Sequence, residues 1–340
     1  MKKSFLIFGI ILVSSFQLKS QTVIGKYAGE FLNIGVGGRA LGMGGAYVAI
    51  ANDVTAGYYN PAGLASINYP EITLMHDERF GSLVNYDYAA VAIPYGKNLS
   101  FALSIMRLGV DGIPDTRNAL IDVNGDGVLN DNDRLDYSKI TEFSDQDWAF
   151  YLSFAKRASD KFSFGGSVKI IRRSIAEYGA WGIGFDVGAQ YNPTGKLVLG
   201  ANLQDITTTM VAWSTGRTEL ITPTAKLGVG YQFQFLGGTF TPAMDVDFRF
   251  ENRQYSAYAY LGPISADTHT GLEYNFKNVV SVRVGYNDVK QFTVGAGIQL
   301  PKLNIDYSFA KFSTPQDESL PDTHRISLTL TLEEPKFERK

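Results

Sequence analysis

The residues best spaced for chemistry lie in one polar stretch, Asp122-Val-Asn-Gly-Asp-Gly-Val-Leu-Asn-Asp-Asn-Asp133. Counted from Asp122, side-chain oxygens fall at positions 1, 3, 5 and 12 as Asp122, Asn124, Asp126 and Asp133. Gly127 permits the sharp turn, Val128 offers its carbonyl, and Asn130 binds directly or through water. This is the twelve-residue spacing of an EF-hand loop with Asp in place of the final Glu. It predicts a structural Ca²⁺ of modest affinity, because the shorter Asp tends to bind through one oxygen. No flanking EF-hand helices are legible, so the ion would order a loop rather than catalyse. The competing reading is a plain Asp/Asn/Gly-rich turn.

Other chemistry is thinly represented. The histidines His76, His269 and His324 are expected at or beside strand ends, and no Gly-x-Ser-x-Gly elbow, His-Glu-x-x-His or P-loop occurs. Nothing here predicts an enzyme or a catalytic residue. Asp245, Asp247, Arg249, Glu251, Glu273, Arg283, Asp306 and Arg325 fall on the polar side of alternating segments. They form either a selectivity lining or, as we favour, internal pairs that fill an interior and dock an N-terminal segment through Arg39.

The elements that would position these groups are strands. In 243–251, Met244, Val246, Phe248 and Phe250 alternate with Asp245, Asp247, Arg249 and Glu251. Val280–Asn287 and Arg325–Leu332 alternate in the same way. A period of two puts one face in an apolar medium and the other in a polar one. About fourteen such strands are expected, at 71–78, 84–95, 98–110, 147–157, 161–174, 181–192, 196–206, 221–234, 238–251, 266–276, 279–288, 291–300, 303–312 and 323–333. Every second connection is tight, whereas 111–146, 207–220, 252–265 and 313–322 are long. Short turns on one side and long loops on the other is the pattern of an outer-membrane barrel. Aromatics near strand ends (Tyr86, Tyr88, Tyr95, Tyr191, Tyr231, Phe233, Phe235, Tyr274, Phe276, Tyr307, Phe309 and Phe312) are expected in interface girdles.

Ahead of the strands, Gly35–Ser66 is rich in Gly and Ala and almost uncharged. Asp53 is expected to cap a helical turn over Val54–Tyr59, and Asn60 to cap a second with Pro61 at its first position. The run Arg39-Ala40-Leu41-Gly42-Met43-Gly44-Gly45-Ala46 and the later Asn60-Pro61-Ala62-Gly63-Leu64 resemble the N-terminal hatch of FadL-like outer-membrane barrels, most of all the PorV/PorQ family. That resemblance implies an all-β, fourteen-stranded antiparallel transmembrane barrel whose lumen is plugged by this hatch. It implies type IX secretion as the role, with a translocon or exported proteins as partners, in a Gram-negative, Bacteroidetes-like outer membrane. FadL-like passage of hydrophobic small molecules is the alternative.

Composition agrees with this expectation. Of 340 residues, 19% are charged and 13% aromatic, 35 are Gly, and the net charge is −3, which gives no basis for nucleic-acid binding. The chain has no cysteine, which excludes disulfides, thiol catalysis and a lipoprotein anchor. Residues 1–20 read as a signal peptide, with Lys2 and Lys3 before an apolar Phe5–Val13. The expected parts are a hatch at 21–69, a barrel at 70–333 and a polar tail at 334–340. A transporter should show an apolar pocket between hatch and wall. A secretion accessory should show a filled lumen and an apolar patch on its outer loops, where Met210, Val211, Ala212, Trp213, Tyr255, Tyr258, Tyr260 and Leu261 stand out.

Overall fold

The computed structural model describes residues 28–339, apart from 124, 126, 128, 129, 132, 252–256 and 314–321. The signal peptide, the first residues of the hatch, Tyr255 and the loop ligands Asn124, Asp126 and Val128 lie outside the described residues.

Fourteen antiparallel strands close on themselves. They are β1 Glu71–Arg79, β2 Val84–Tyr95, β3 Leu99–Asp115, β4 Thr141–Arg157, β5 Phe162–Ile175, β6 Tyr178–Tyr191 and β7 Leu197–Gln204, followed by β8 Thr224–Tyr231, β9 Gly238–Arg249, β10 Ile264–Phe276, β11 Val280–Tyr286, β12 Gln291–Gln299, β13 Leu303–Phe312 and β14 Thr323–Thr331. Each pairs with its sequence neighbour, and β1 pairs with β14 from Glu71↔Thr331 to Glu78↔His324, so no edge remains. The alternation read from sequence is the physical reason for closure. Its polar face turns inward and is buried, as at Asp245, Asp247 and Arg249, while its apolar face (Leu103, Leu152, Ile183 and Val282) is exposed on the outside. A soluble protein has the opposite arrangement, so the exterior is built for lipid. No helix among the described residues is long and apolar enough to cross a membrane; the crossing elements are strands.

Three details depart from expectation. β3 and β4 run on to Asp115 and Thr141, well past the expected 98–110 and 147–157, and carry a bulge between Val110 and Ile113. The expected 207–220 loop is a hairpin, Thr209–Trp213 with Thr218–Ile221, that pairs with β6 and extends the wall. Its residues alternate: Met210 faces out, whereas Val211 is buried and Trp213 lies under the Arg173 guanidinium at 5.5 Å. The apolar run at 210–213 is therefore wall, not a loop patch. A kink at 205–208 joins it to β7, with Asp205 and Thr208 at φ 55° and 58°, and this turns the Asp205 carboxylate inward. Tyr86 and Tyr88 are also reassigned. They are buried against the hatch, while Tyr95, Tyr191, Tyr231, Phe235 and Phe276 form the exposed girdle at the short-turn end.

Candidate functional site: the hatch and its lumen

The hatch lies inside the barrel as four short helical pieces, Glu30–Asn33, Gly38–Gly42, Ala56–Tyr59 and Pro61–Ser66. Asn60 caps the last as expected, accepting from the Ala62 N–H at 3.2 Å, with Pro61 at the first helical position. Asp53 does not cap Ala56–Tyr59, because the helix starts three residues further on. It closes a turn instead, accepting from the Thr55 N–H at 2.9 Å.

Small residues let the hatch backbone approach the wall. Thr293 Oγ1 donates to the Gly42 carbonyl at 3.1 Å, and a side chain on Gly42 would meet the Gly295 backbone at 3.1 Å. Gly44 has φ 65°, and a Cβ there would lie 2.6 Å from the Tyr286 nitrogen, so only glycine fits. Gly45 (φ 82°) faces the His269 ring, whose Nδ1 donates to the Gly44 carbonyl at 2.9 Å. His269 thus stands mid-strand in the lumen and not at a strand end. A Cβ on Gly63 would run into the Ala51 carbonyl. Asn60 Nδ2 donates to the Val48 carbonyl within the hatch and to the Ala189 carbonyl of β6, at 2.9 and 3.0 Å.

The ionic dock is a chain of four groups. Arg39 donates two bonds of 2.9 Å to the Glu273 carboxylate, Arg283 donates to Glu273 at 2.6 Å, and Arg283 reaches Asp306 at 2.6 Å. Arg39 also bonds Tyr47 at 2.9 Å and Asn52 at 2.7 Å. The other expected lumen charges pair as well. Arg325 bonds Asp77 at 2.9 Å, Asp247 takes Lys226 at 2.9 Å, and Arg249 approaches Asp288 at 3.4 Å. Asp245 is occupied by the hatch itself, accepting from the Tyr47 and Val48 N–H groups at 2.6 and 2.7 Å. Glu251 accepts from Thr222 at 3.1 Å. Sequence reading missed Lys169, which bridges Asp186 (3.0 Å) and Asp205 (2.8 Å), and Arg173, which holds Asp147 at 2.7 Å. The signal was present: Lys169 stands between Val168 and Ile170, and Asp186 between Phe185 and Val187, in strict alternation.

Deep inside the barrel, little space remains between plug and wall. A cavity of about 20 Å³ is lined mainly by polar groups such as Lys169 and Asp205, and one of about 40 Å³ by Asp247 and His269 together with Ile34, Leu41 and Val48. A larger hollow of about 380 Å³ opens at the short-turn end, lined by Arg39, Asn52, Asp53, Glu273, Arg283 and Asp306. No apolar pocket separates hatch and wall among the described residues.

At the outer loop, Asp122 accepts from the Gly125 and Gly127 N–H groups at 2.6 and 2.7 Å, and Asp133 from those of Val123 and Asn130 at 2.9 and 3.0 Å. The first and last carboxylates of the stretch thus accept from the N–H groups of its described residues. Nearby, Ser138 holds Asp136 below the ordinary carboxylate range, and Arg117 does the same for Glu177.

A plugged fourteen-strand barrel with an apolar exterior is the class this chain defines. Its fold is that of FadL-like transporters. The Ralstonia pickettii toluene transporter TbuX aligns at 15% identity and a TM-score of 0.57, over 87% of this chain and 98% of that one. The Pseudomonas putida toluene transporter TodX aligns at 14% and 0.59, over 88% and 99%. A Pseudomonas aeruginosa FadL homologue aligns at 13% and 0.56, over 86% and 98%. An uncharacterised protein family (UPF0164) matches residues 10–100, and no curated protein matches the chain. The PorV/PorQ resemblance therefore rests on the Arg39–Ala46 and Asn60–Leu64 motif, which lies inside the matched segment.

Proposed function

We propose that the protein is an outer-membrane barrel that passes small hydrophobic molecules, with the hatch as its gate. The observation that carries this reading is the near-complete fold likeness to the two toluene transporters, over 87% and 88% of this chain. Because the most enclosed spaces between plug and wall hold only about 20 and 40 Å³, while the larger hollows open at the short-turn end, passage requires the hatch to shift. The Arg39–Glu273 pair is the contact to release. The test is uptake of a radiolabelled monoaromatic hydrocarbon into proteoliposomes. Wild type should exceed protein-free vesicles, and Glu273→Ala should change the rate. Equal uptake with and without protein would reject transport.

A second reading is favoured by one observation: the lumen is filled, and Tyr258, Tyr260 and Leu261 stand exposed at the outer rim. On this reading the barrel is a secretion or surface-attachment accessory of the type IX kind, in a Bacteroidetes-like bacterium, and those side chains meet a protein partner. Co-purification of one stoichiometric protein, lost in a Tyr258→Ser/Leu261→Ser variant, would favour it over transport.

The Ca²⁺ loop is part of either reading. Asp122, Asn124, Asp126, Val128, Asn130 and Asp133 supply hard oxygens at EF-hand spacing. Protease should cut 111–146 faster in chelator than in calcium, and the Asp122→Ala/Asp126→Ala pair should abolish the difference. Equal cutting of wild type in both conditions would make the stretch a polar turn.

A further inference from the structure

On the outer face, four side chains form a continuous row across neighbouring strands. Arg107 of β3 stands opposite Trp148 of β4, Trp148 opposite Arg172 of β5, and Arg172 opposite Trp181 of β6. The row marks the border of the apolar belt. Two residues below it on each strand come Ile105, Phe150, Ile170 and Ile183; two residues above come Gly109, Gln146, Ser174 and Gly179. It lies toward the long-loop end, three residues short of the β5 terminus at Ile175.

The two arginines differ in their commitments. Arg107 sits 5.8 Å from the Trp148 ring and is already neutralised by Asp111 (3.3 Å) and Asp87 (3.6 Å). Arg172 lies 4.8 Å over the Trp181 ring, and no carboxylate among the described residues pairs with it. An arginine at the edge of a hydrocarbon layer, stacked on one face and with its N–H fork unused, is suited to a phosphate oxygen pair. Indoles at this depth sit at headgroup level, and the apolar side chains below offer acyl chains a surface. Directly above, Gln146 Oε1 accepts from the Trp148 indole N–H at 3.3 Å and fixes that ring. The outer hollow of about 610 Å³ beyond it carries Asp115, Glu142 and Glu177 beside Arg117, so the anion ligand is Arg172 and not the hollow.

We propose that Arg107, Trp148, Arg172 and Trp181 form a binding site for the phosphorylated headgroup of a lipid in the outward-facing leaflet, with Arg172 as its anion ligand. The site lies on the outside of the wall and is independent of what the lumen passes or whether it opens. Binding should be read by native mass spectrometry of the detergent-purified barrel, titrated with bisphosphorylated lipid A, its dephosphorylated form and inorganic phosphate. Wild type should retain the phosphorylated lipid about tenfold more tightly than the dephosphorylated one, the gain of one charge-assisted contact. Arg172→Gln should abolish that preference while the barrel keeps its unheated gel mobility. Trp181→Leu, which removes the stacking surface but keeps the charge, should weaken it. Equal retention by wild type and both variants would overturn the proposal. So would competition by inorganic phosphate at the lipid's own concentration, which would make the row a soluble-anion site.

Discussion

Glu273 sits between two arginines, and removing it leaves Arg39 and Arg283 facing one another without their shared anion. Breaking one partner of a buried pair costs about 3–5 kcal/mol when the survivor is left uncompensated, and less here, because Arg283 keeps Asp306 at 2.6 Å and Arg39 keeps Asp53 at 3.7 Å. Glu273→Ala is therefore expected to loosen the hatch while the wall persists. The hatch should become cleavable by protease with the unheated gel mobility unchanged. Asn60 is the other single residue that several elements share. Its side chain caps Pro61–Ser66 and satisfies two carbonyls, one in the hatch and one in the wall. Asn60→Ala should cost about 1 kcal/mol for the cap alone and more for the orphaned carbonyls, seen as a lower temperature of gel-mobility loss. Both residues were legible as types. The pairing of Arg39 with Glu273 was not, because nothing local in sequence relates positions 234 apart.

At the scale of elements, the strands were readable because polar-in, apolar-out alternation is a local property of each segment. β9, β11 and β14 fall within a few residues of their expected spans for that reason. What escaped reading depends on non-local pairing. The 209–221 hairpin becomes wall only because β6 is long enough to receive it, and β3 and β4 extend only because they pair with each other. The tail was also underread. Arg339 donates to the Ile67 carbonyl at 2.6 Å, to Ser100 Oγ at 2.6 Å and to the Leu99 carbonyl at 2.8 Å, so it ties the end of the hatch to the start of β3. Arg339→Ala is expected to lower thermal stability, by about 1.5–3 kcal/mol for hydrogen bonds to a charged donor. The hatch-to-wall fit is stricter. A Cβ on Gly285 would collide with the Gly44 nitrogen and the Met43 carbonyl carbon, both backbone atoms. Gly285→Ala should unseat the hatch more than it disturbs β11, and planar-bilayer conductance should rise; unchanged conductance would contradict the fit described.

For the whole molecule, closure and plugging are separable properties. Deleting 35–66 should leave a heat-modifiable barrel, since every strand keeps both neighbours, yet raise conductance several-fold. The wall already registers without the plug through pairs such as Arg325–Asp77, which joins the first and last strands across 248 positions. The interior would then present Asp245, Glu273 and Asn202 without their hatch partners.

That seam has a temporal consequence. The hatch is bonded to walls on every side: to Ser327 in β14, Thr293 in β12, Asn202 in β7 and Arg157 in β4. Such an object cannot be slid in as a finished cork, since its Asn60 and Gly44 contacts interlock with opposite walls. The sheet must curl around it, with β1 meeting β14 last, and the chain order that puts the hatch first makes this possible. A hatch peptide added to an already closed, hatchless barrel should fail to restore low conductance, whereas the same peptide present during refolding should restore it.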